Sequence, residues 1–245
     1  MKAVRIHEFG GPEVLKYEEI PDLELRKDQV LVRVRACALN HLDLWVRMGL
    51  PGVKLPHILG SDVAGEGVEC GEYISDVKPG TRVLLAPMGF CNHCEQCNNG
   101  RHNFCPQFNV LGNGVDGGNC ELIAVPRVNV IPIPDSLGFV EAASVPLVFL
   151  TAWHMLVGRA QLRAGQTVLV LGAGSGVGSA AIQICKMLSA EVITTAGDEQ
   201  KLAKARELGA DHTIDHYKQK IADEVKRITN RRGVDIVFEH VGQAT

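Results

Sequence analysis

The chain has little that would suit export, a membrane or nucleic acid. Its N-terminus, MKAVRIHEFG, contains no apolar segment of the kind found in signal peptides, so we expect a cytoplasmic protein. The longest apolar stretch, residues 140–157, is interrupted by a glutamate, a proline and a histidine, which argues against a membrane span. The net charge is −3, so no basic excess attracts nucleic acid. We predict a small-molecule substrate, with neither nucleic acid nor a membrane as a partner.

A disulfide framework is not expected either, because the eight cysteines occur in a chain without an export signal. Hydrophobic residues make up 46% of the 245 positions and charged residues 22%, a balance that supports a packed core and argues against disorder. Four cysteines lie apart on apolar segments and are predicted to be buried thiols: Cys37, Cys70, Cys120 and Cys185.

The other four cysteines are crowded into a short polar stretch: Cys91, Cys94, Cys97 and Cys105. Four thiolates complete a tetrahedron around zinc and leave no position for water, so such a site is structural. The lobe around them, residues 90–108, has almost nothing apolar to fold around without a metal. We predict one structural zinc ion per chain. The alternatives are an iron–sulfur cluster, thiols without metal, or a ligand from His93 or His102.

Two patterns of apolar residues divide the chain into two predicted domains, 1–134 and 135–245. In the first, apolar and polar residues alternate in short runs such as residues 29–36, which predicts antiparallel β-structure. In the second, the continuous apolar run 166–171 is typical of a parallel strand buried on both faces. Helix and strand patterns then alternate up to a fourth strand at residues 234–238, which indicates an α/β domain with a doubly wound parallel sheet. Such a sheet usually has six strands, so we expect that its second half is missing.

A glycine-rich loop follows the first strand of the second domain. Its candidate cofactor-binding residues are Gly174, Ser175, Gly176, Val177 and Gly178. Glycines here permit a tight turn and let a pyrophosphate approach the N-terminus of the next helix, where backbone N–H groups attract anions. Val177 occupies the third glycine position of the strict pattern, so a purely structural turn is the alternative. The strand before the loop and the helix after it favour a nicotinamide dinucleotide.

The end of the second strand bears on the choice between NADP and NAD. An acidic residue expected there would bind the adenosine ribose, but the strand ends in Thr195 and Ala196 without a carboxylate. Lys201 is placed to pair with a 2′-phosphate, which favours NADPH. Asp198 would favour NADH, unless it only caps the following helix. We predict NADP or NAD as the cofactor, with Asp198 and Lys201 near the ribose.

Together these motifs resemble the medium-chain dehydrogenase/reductase superfamily over the whole chain. The resemblance lies in the cysteine lobe, the segment Pro146–Trp153 and the glycine loop, and Leu39–Asp43 and residues 180–184 resemble its quinone oxidoreductase branch in particular. It implies a GroES-like antiparallel β domain followed by a Rossmann domain. It also implies an NAD(P)-dependent oxidoreductase that forms a dimer or tetramer when full length.

The resemblance also implies a second, catalytic zinc, but its three ligand positions carry Asn40, Ser61 and Leu147 here. A rearranged metal site would need other side chains: His41, His57 or Asp62. Zinc-free relatives resembling quinone oxidoreductases pass hydride to a quinone or an α,β-unsaturated carbonyl, which needs no metal to polarise it. An alcohol substrate needs its hydroxyl deprotonated, and a metal is the usual means. The missing ligands therefore favour a quinone or enone reductase.

Four residues are predicted to serve the reaction in a cleft between the two domains. Asn40 would hydrogen-bond the substrate or the nicotinamide ribose, unless it is a turn residue. By resemblance, Thr151 would contact the nicotinamide end, unless it is plain helix surface. His41 and Asp43 are either a proton relay or the start of a helix, with Asp43 near the helix dipole. The competing functions are an alcohol dehydrogenase with an atypical catalytic metal and a catalytically inactive member of the fold.

Overall fold

The computed structural model describes residues 1–242 and contains, within them, fourteen strands and seven α-helices. The strands are β1 (Lys2–Ile6), β2 (Leu15–Glu19), β3 (Gln29–Ala38), β4 (His57–Ile58), β5 (Asp62–Cys70), β6 (Arg82–Leu85), β7 (Met88–Gly89), β8 (Asn109–Val110), β9 (Leu122–Pro126), β10 (Val130–Pro132), β11 (Thr167–Val170), β12 (Glu191–Ala196), β13 (His212–Asp215) and β14 (Ile236–Phe238). The helices are α1 (His41–Gly49), α2 (Glu95–Asn98), α3 (Phe139–Ala143), α4 (Pro146–Trp153), α5 (Gly176–Met187), α6 (Glu199–Glu207) and α7 (Ile221–Ile228).

Antiparallel sheets build the first of two units, Met1–Leu147. Its main sheet has the order β10-β6-β5-β3-β9, and a second sheet has the order β2-β1-β4. In β3 the predicted alternation is present, because Val30 and Val32 are fully buried whereas Arg33 is exposed. Pairing of β3 with β5 brings Ala38, at the end of β3, opposite Asp62. The strands therefore place the residue pairs on which the candidate site is built.

Helix α3 belongs to this first unit although the sequence predicts a domain boundary at residue 134. Its Ala142 and Ala143 are buried in one apolar cluster with Ala64 of β5 and Ile133. Small side chains on both the helix and the strand let the two backbones approach closely. The compact unit therefore extends to Leu147, because the first apolar segment after residue 134 packs on the β-sheet.

The cysteine lobe is closed at its base by a short antiparallel ladder. Strands β7 and β8 pair Met88 with Val110 and Gly89 with Asn109. The segment between these strands, residues 90–108, is the lobe that the sequence predicts, and it contains the single-turn helix α2. A turn this short cannot be stable alone, so the lobe depends on contacts beyond its own helix.

The second unit, Val148–Thr245, contains the predicted parallel sheet. Its strand order is β13-β12-β11-β14, and all three pairings are parallel. Every residue of β11 is buried, as a strand covered on both faces requires. This is one three-stranded half of a Rossmann sheet with one further strand beside it. The predicted fold class, a GroES-like β domain and a Rossmann domain with an incomplete second half, is confirmed.

Helix α7 begins later than the sequence suggests, at Ile221 rather than Lys218. The side chain of Asp215 accounts for this, because it accepts the N–H of Tyr217 at 3.0 Å and pairs with the ammonium of Lys218 at 2.9 Å. These contacts hold a turn after β13 in place of a first helical turn. Within residues 1–242, no helix is long and apolar enough to cross a membrane.

Candidate functional site

The four lobe cysteines come together in the structure. Their Sγ atoms all lie within 4.8 Å of one another, and those of Cys91 and Cys97 are 3.9 Å apart. Zinc–sulfur bonds of about 2.3 Å in a tetrahedron require sulfur–sulfur distances of about 3.8 Å. The cluster therefore has the dimensions of a four-coordinate metal site, and zinc fits it.

Backbone N–H groups point at the sulfur atoms of this cluster. The N–H of Cys94 donates to Cys91 Sγ at 3.3 Å, and those of Cys91 and Gln107 both donate to Cys105 Sγ at 3.4 Å. Hydrogen bonds from the backbone, led by that of His93, lower the pKa of the Cys91 thiol to about 6. Donors placed in this way favour the thiolate form, which is the form that binds metal.

The two histidines of the lobe are occupied with other contacts. The ring of His102 stacks on Phe90 with centroids 4.0 Å apart, and His93 Nδ1 lies 2.7 Å from the carbonyl oxygen of Cys91. Neither contact involves a cysteine sulfur. The four cysteines thus form a complete ligand set without His93 or His102.

A second polar cluster lies where β3 ends and α1 begins. Asn40 is the N-cap of α1, and its backbone N–H donates to Asp43 Oδ2 at 2.7 Å. The other oxygen of Asp43 accepts the N–H of Gly60 at 2.9 Å. Both oxygens of this buried carboxylate are therefore used to hold backbone, which supports the helix-start interpretation of Asp43 rather than a proton relay.

Asp62 opens β5 and is the centre of this polar cluster. Its Oδ2 accepts a hydrogen bond from Asn40 Nδ2 at 2.9 Å, and its Oδ1 accepts one from the N–H of Leu147 at 2.7 Å. The side chain is almost completely buried. Burial raises the pKa of Asp62 to about 6, and the negative charge of Asp43 adds to the rise, while the two hydrogen bonds oppose it.

The three positions aligned with ligands of a catalytic zinc do not suit that metal. Asn40 offers an amide that is bonded to Asp62, and Ser61 is fully buried with its Oγ donating to the carbonyl of Leu111 at 2.6 Å. Leu147 offers no ligand atom in its side chain. Zinc in proteins prefers thiolate, imidazole and carboxylate ligands, and none of these three residues provides one.

The remaining predicted catalytic residues lie apart from this polar cluster. His41 is the first residue of α1 and is exposed, with its ring centroid 6.3 Å from that of Trp45. His57 is buried, and its Nδ1 lies 3.3 Å from Asp116. Thr151 is a half-buried residue of α4 in the second unit. The structure therefore groups Asn40 with Asp43 and Asp62, and places neither His41 nor His57 among them.

The glycine loop joins β11 to α5. Ser175 is the N-cap of α5, and its Oγ accepts the N–H of Gly178 at 2.9 Å. A Cβ at Gly178 would overlap the carbonyl oxygen of Gly172, so only glycine permits this close approach of helix and strand. Within residues 1–242, the N–H groups of Gly176 and Val177 have no protein acceptor. They are free to bind an anion at the positive end of the helix dipole.

The charged residues near the end of β12 form a pair. Asp198 caps α6 by accepting the N–H of Lys201 at 2.8 Å, and it pairs with the Lys201 ammonium at 2.8 Å. The pKa of Asp198 is lowered by this partner and that of Lys201 is raised. A Cβ at Gly174 would lie 2.6 Å from Lys201 Cδ, so the lysine stem passes over the glycine loop. Asp198 thus does cap the helix, and it also neutralises the cation predicted to bind a 2′-phosphate.

Two residues missed by the sequence reasoning border the same loop. His240 Nε2 lies 2.6 Å from Ser175 Oγ. Because the Ser175 hydroxyl donates to the Gly172 carbonyl at 2.9 Å, His240 is the donor in this contact. Its buried Nδ1 has no partner within residues 1–242, and burial lowers the pKa of His240. Tyr217 lies beside Gly197, where a Cβ would overlap its ring.

A simple rule pointed towards both residues. Ligands of doubly wound sheets bind at the carboxyl ends of the strands. His240 follows β14 and Tyr217 follows β13 in the sequence. Neither belongs to a recognised motif, so the pattern of residues alone did not single them out.

Two family models match the chain. The model of the alcohol dehydrogenase GroES-like domain matches residues 26–135, and the model of the zinc-binding dehydrogenase domain matches residues 176–245. The first covers β3 to β10 with the cysteine lobe, and the second begins in the glycine loop. The matched segments thus include both the four-sulfur cluster and the candidate cofactor loop.

Similar proteins carry two kinds of name. A quinone oxidoreductase of Homo sapiens is 32% identical over 98% of this chain, which spans 66% of that protein's length. An NAD-dependent alcohol dehydrogenase of Sulfurisphaera tokodaii is 33% identical, with 98% of this chain and 71% of that protein covered. The crystal structure of an NAD-dependent alcohol dehydrogenase aligns with a TM-score of 0.96 at 44% identity, covering 99% of this chain and 71% of the other. The chain thus spans roughly two thirds of each relative's length.

Proposed function

Because the chain belongs to the medium-chain dehydrogenase/reductase superfamily, in the branch of zinc-binding alcohol dehydrogenases and quinone oxidoreductases, we propose that it transfers hydride from NADPH or NADH to a quinone or an α,β-unsaturated carbonyl. Asn40, Ser61 and Leu147 carry this proposal, since all three stand where ligands of a catalytic zinc would be. Their polar groups are committed to Asp62 and to a backbone carbonyl. An electron-poor acceptor suits a site without a Lewis acid.

The nicotinamide ring, when bound, supplies the hydride, and the protein supplies orientation. Free N–H groups at the start of α5 bind the pyrophosphate, and the glycines give it room. Lys201 reaches over the loop towards the adenosine end. Asn40 offers hydrogen bonds to a bound hydroxyl or carbonyl group, and Thr151 is assigned to the nicotinamide end by resemblance. His41, exposed at the start of α1, remains a candidate for proton exchange with solvent.

We further propose that the four-sulfur cluster holds one structural zinc ion per chain. Closed four-thiolate sites leave no coordination position for a substrate. The cluster lies in a lobe between β7 and β8, whereas Asn40 and Asp62 lie at the ends of β3 and β5. Removing this metal should therefore affect stability first and hydride transfer only through loss of the fold.

A substrate panel tests the proposed reaction. The natural polypeptide containing this sequence would be assayed with NADH and NADPH against quinones, enones and simple alcohols. We expect reduction of quinones or enones that is insensitive to chelators able to strip an exposed catalytic zinc. Chelator-sensitive oxidation of alcohols, without activity on quinones or enones, would overturn the proposal. Failure to bind either nicotinamide would instead favour a catalytically inactive member of the fold.

Alcohol oxidation is the second candidate, and a specific observation favours it. The NAD-dependent alcohol dehydrogenase compared above combines a TM-score of 0.96 with 44% identity, a higher identity than that of the human quinone oxidoreductase. Metal content separates the two candidates, because an alcohol dehydrogenase with an atypical catalytic site would bind two zinc ions per chain. One zinc per chain agrees with the quinone or enone reductase.

A further inference from the structure

Asn40 is held between two buried carboxylates. Asp43 accepts its backbone N–H at 2.7 Å, and Asp62 accepts its side-chain Nδ2 at 2.9 Å. No ion pair within residues 1–242 involves either carboxylate. Neutral donors alone satisfy them, and a buried charge held in this way is costly. A site that retains such a charge needs a reason beyond stability.

The chemistry of a carboxylate supplies that reason. The two ends of an asparagine amide have nearly the same shape, but one end donates hydrogen bonds and the other accepts them. An ionised carboxylate can only accept, so the Asn40 amide must turn its nitrogen towards Asp62. The oxygen, Oδ1, then faces the other way. Asp62 cannot adjust to a turned amide, because the N–H of Leu147 occupies its Oδ1 at 2.7 Å.

We propose that Asp62 is a positioning residue for the hydride transfer, on which this assignment rests: it fixes the Asn40 amide so that Oδ1 is presented to the bound ligand and accepts a hydrogen bond from a hydroxyl group. The nicotinamide ribose and a hydroquinone product both carry such hydroxyls. Asn40 is then selective for a donor. The single-letter difference between aspartate and asparagine at position 62 decides which end of the Asn40 amide the ligand meets.

Three variants test this assignment through hydrogen-bond polarity. In Asp62→Asn, the new amide must keep its oxygen on the N–H of Leu147, so its nitrogen faces Asn40 and the Asn40 amide has to turn. In Asn40→Asp, two carboxylates face each other. In the double variant, Asn40→Asp with Asp62→Asn, the donor and acceptor are exchanged, and an acceptor oxygen again faces the ligand. The three variants differ from the wild type by single atoms, so packing is almost unchanged.

Titrations of NADH and NADPH, with steady-state KM values for the acceptor, are the readouts. A ribose hydroxyl as the partner predicts a Kd for the nicotinamide raised about 5- to 10-fold in Asp62→Asn, roughly the contribution of one hydrogen bond. A substrate or product hydroxyl predicts the same change in acceptor KM or product inhibition, with nicotinamide Kd unchanged. In either case the double variant should recover to within about threefold of wild type. A double variant no better than Asp62→Asn, or a fully active Asp62→Asn, would overturn the assignment.

Amide orientation can also be measured without activity. In a ¹⁵N-labelled chain, the side-chain NH₂ resonances of Asn40, assigned with Asn40→Ala, should move when Asp62 becomes asparagine, whereas those of the exposed Asn98 should not. Unmoved Asn40 resonances would refute the orienting role of Asp62. Loss of reductase activity in the wild type with this shift intact would instead refute the proposed reaction and leave the orientation established.

Discussion

Asp62 should make the first unit, Met1–Leu147, more stable at pH 5 than at pH 7. The carboxyl is 1% exposed, and burial raises its pKa from 3.8 to about 6. Because the folded state binds this proton more tightly than the unfolded chain, the stabilisation is fully present below the unfolded pKa and is lost as the pH rises through about 6. The titratable groups around Asp62 are Asp43 and Cys37, and the Cys37 thiol stays neutral because burial raises its pKa to about 12.

The size of the effect follows from the shift in pKa. A rise of about two pH units corresponds to about 3 kcal/mol between the fully protonated and the fully ionised carboxyl. Between pH 7 and pH 5 the free energy of unfolding should rise by about 1 kcal/mol, because at pH 5 the folded carboxyl is mostly protonated and the unfolded one is not. Aspartates with lowered pKa values, such as Asp211 and Asp235, oppose this only at lower pH.

Native-state hydrogen exchange at the amides of β3 and β5 measures this change in the first unit separately from the second. The free energy of opening would be compared between wild type and Asp62→Asn, which cannot ionise, at both pH values. Any loss of zinc at pH 5 affects both proteins equally. The matched control is Asp76→Asn, which removes an exposed carboxylate whose pKa is lowered by Arg127. If the difference between wild type and Asp62→Asn stays constant from pH 7 to pH 5, burial does not set the pKa of Asp62.

Three further predictions concern the metal and the cofactor. Cys97→Ser should lower the zinc content of the purified chain and the melting temperature while leaving nicotinamide Kd within about twofold, and elemental analysis showing full zinc content would contradict the ligand assignment. Gly178→Ala should weaken NADH and NADPH binding at least tenfold, since the new Cβ overlaps the Gly172 carbonyl, whereas an alanine at the open position Gly80 should leave binding unchanged. Lys201→Ala should weaken NADPH more than NADH in paired titrations, and equal weakening would remove the 2′-phosphate role from Lys201.

Much of the fold could be predicted because its signals are local in the sequence. The alternation in β3 and the continuous apolar run of β11 each reflect how many faces of a strand are buried. The four cysteines lie within one lobe, so their spacing alone predicted that the sulfurs would meet. The glycine loop likewise combines a turn, a cap at Ser175 and a helix start in consecutive residues.

The arrangement around Asn40 depended on the tertiary structure. Asp62 is 22 residues from Asn40 and 85 residues from Leu147, and Ser175 is 65 residues from His240. Residue spacing carries no information on such pairs, because strand pairing and helix packing bring them together. Sequence alone therefore determined the family, the cysteine cluster and the cofactor loop, whose contacts are made by neighbours along the chain. The tertiary structure decided what the carboxylate of Asp62 does, since a buried charge is defined by the donors that the fold places around it.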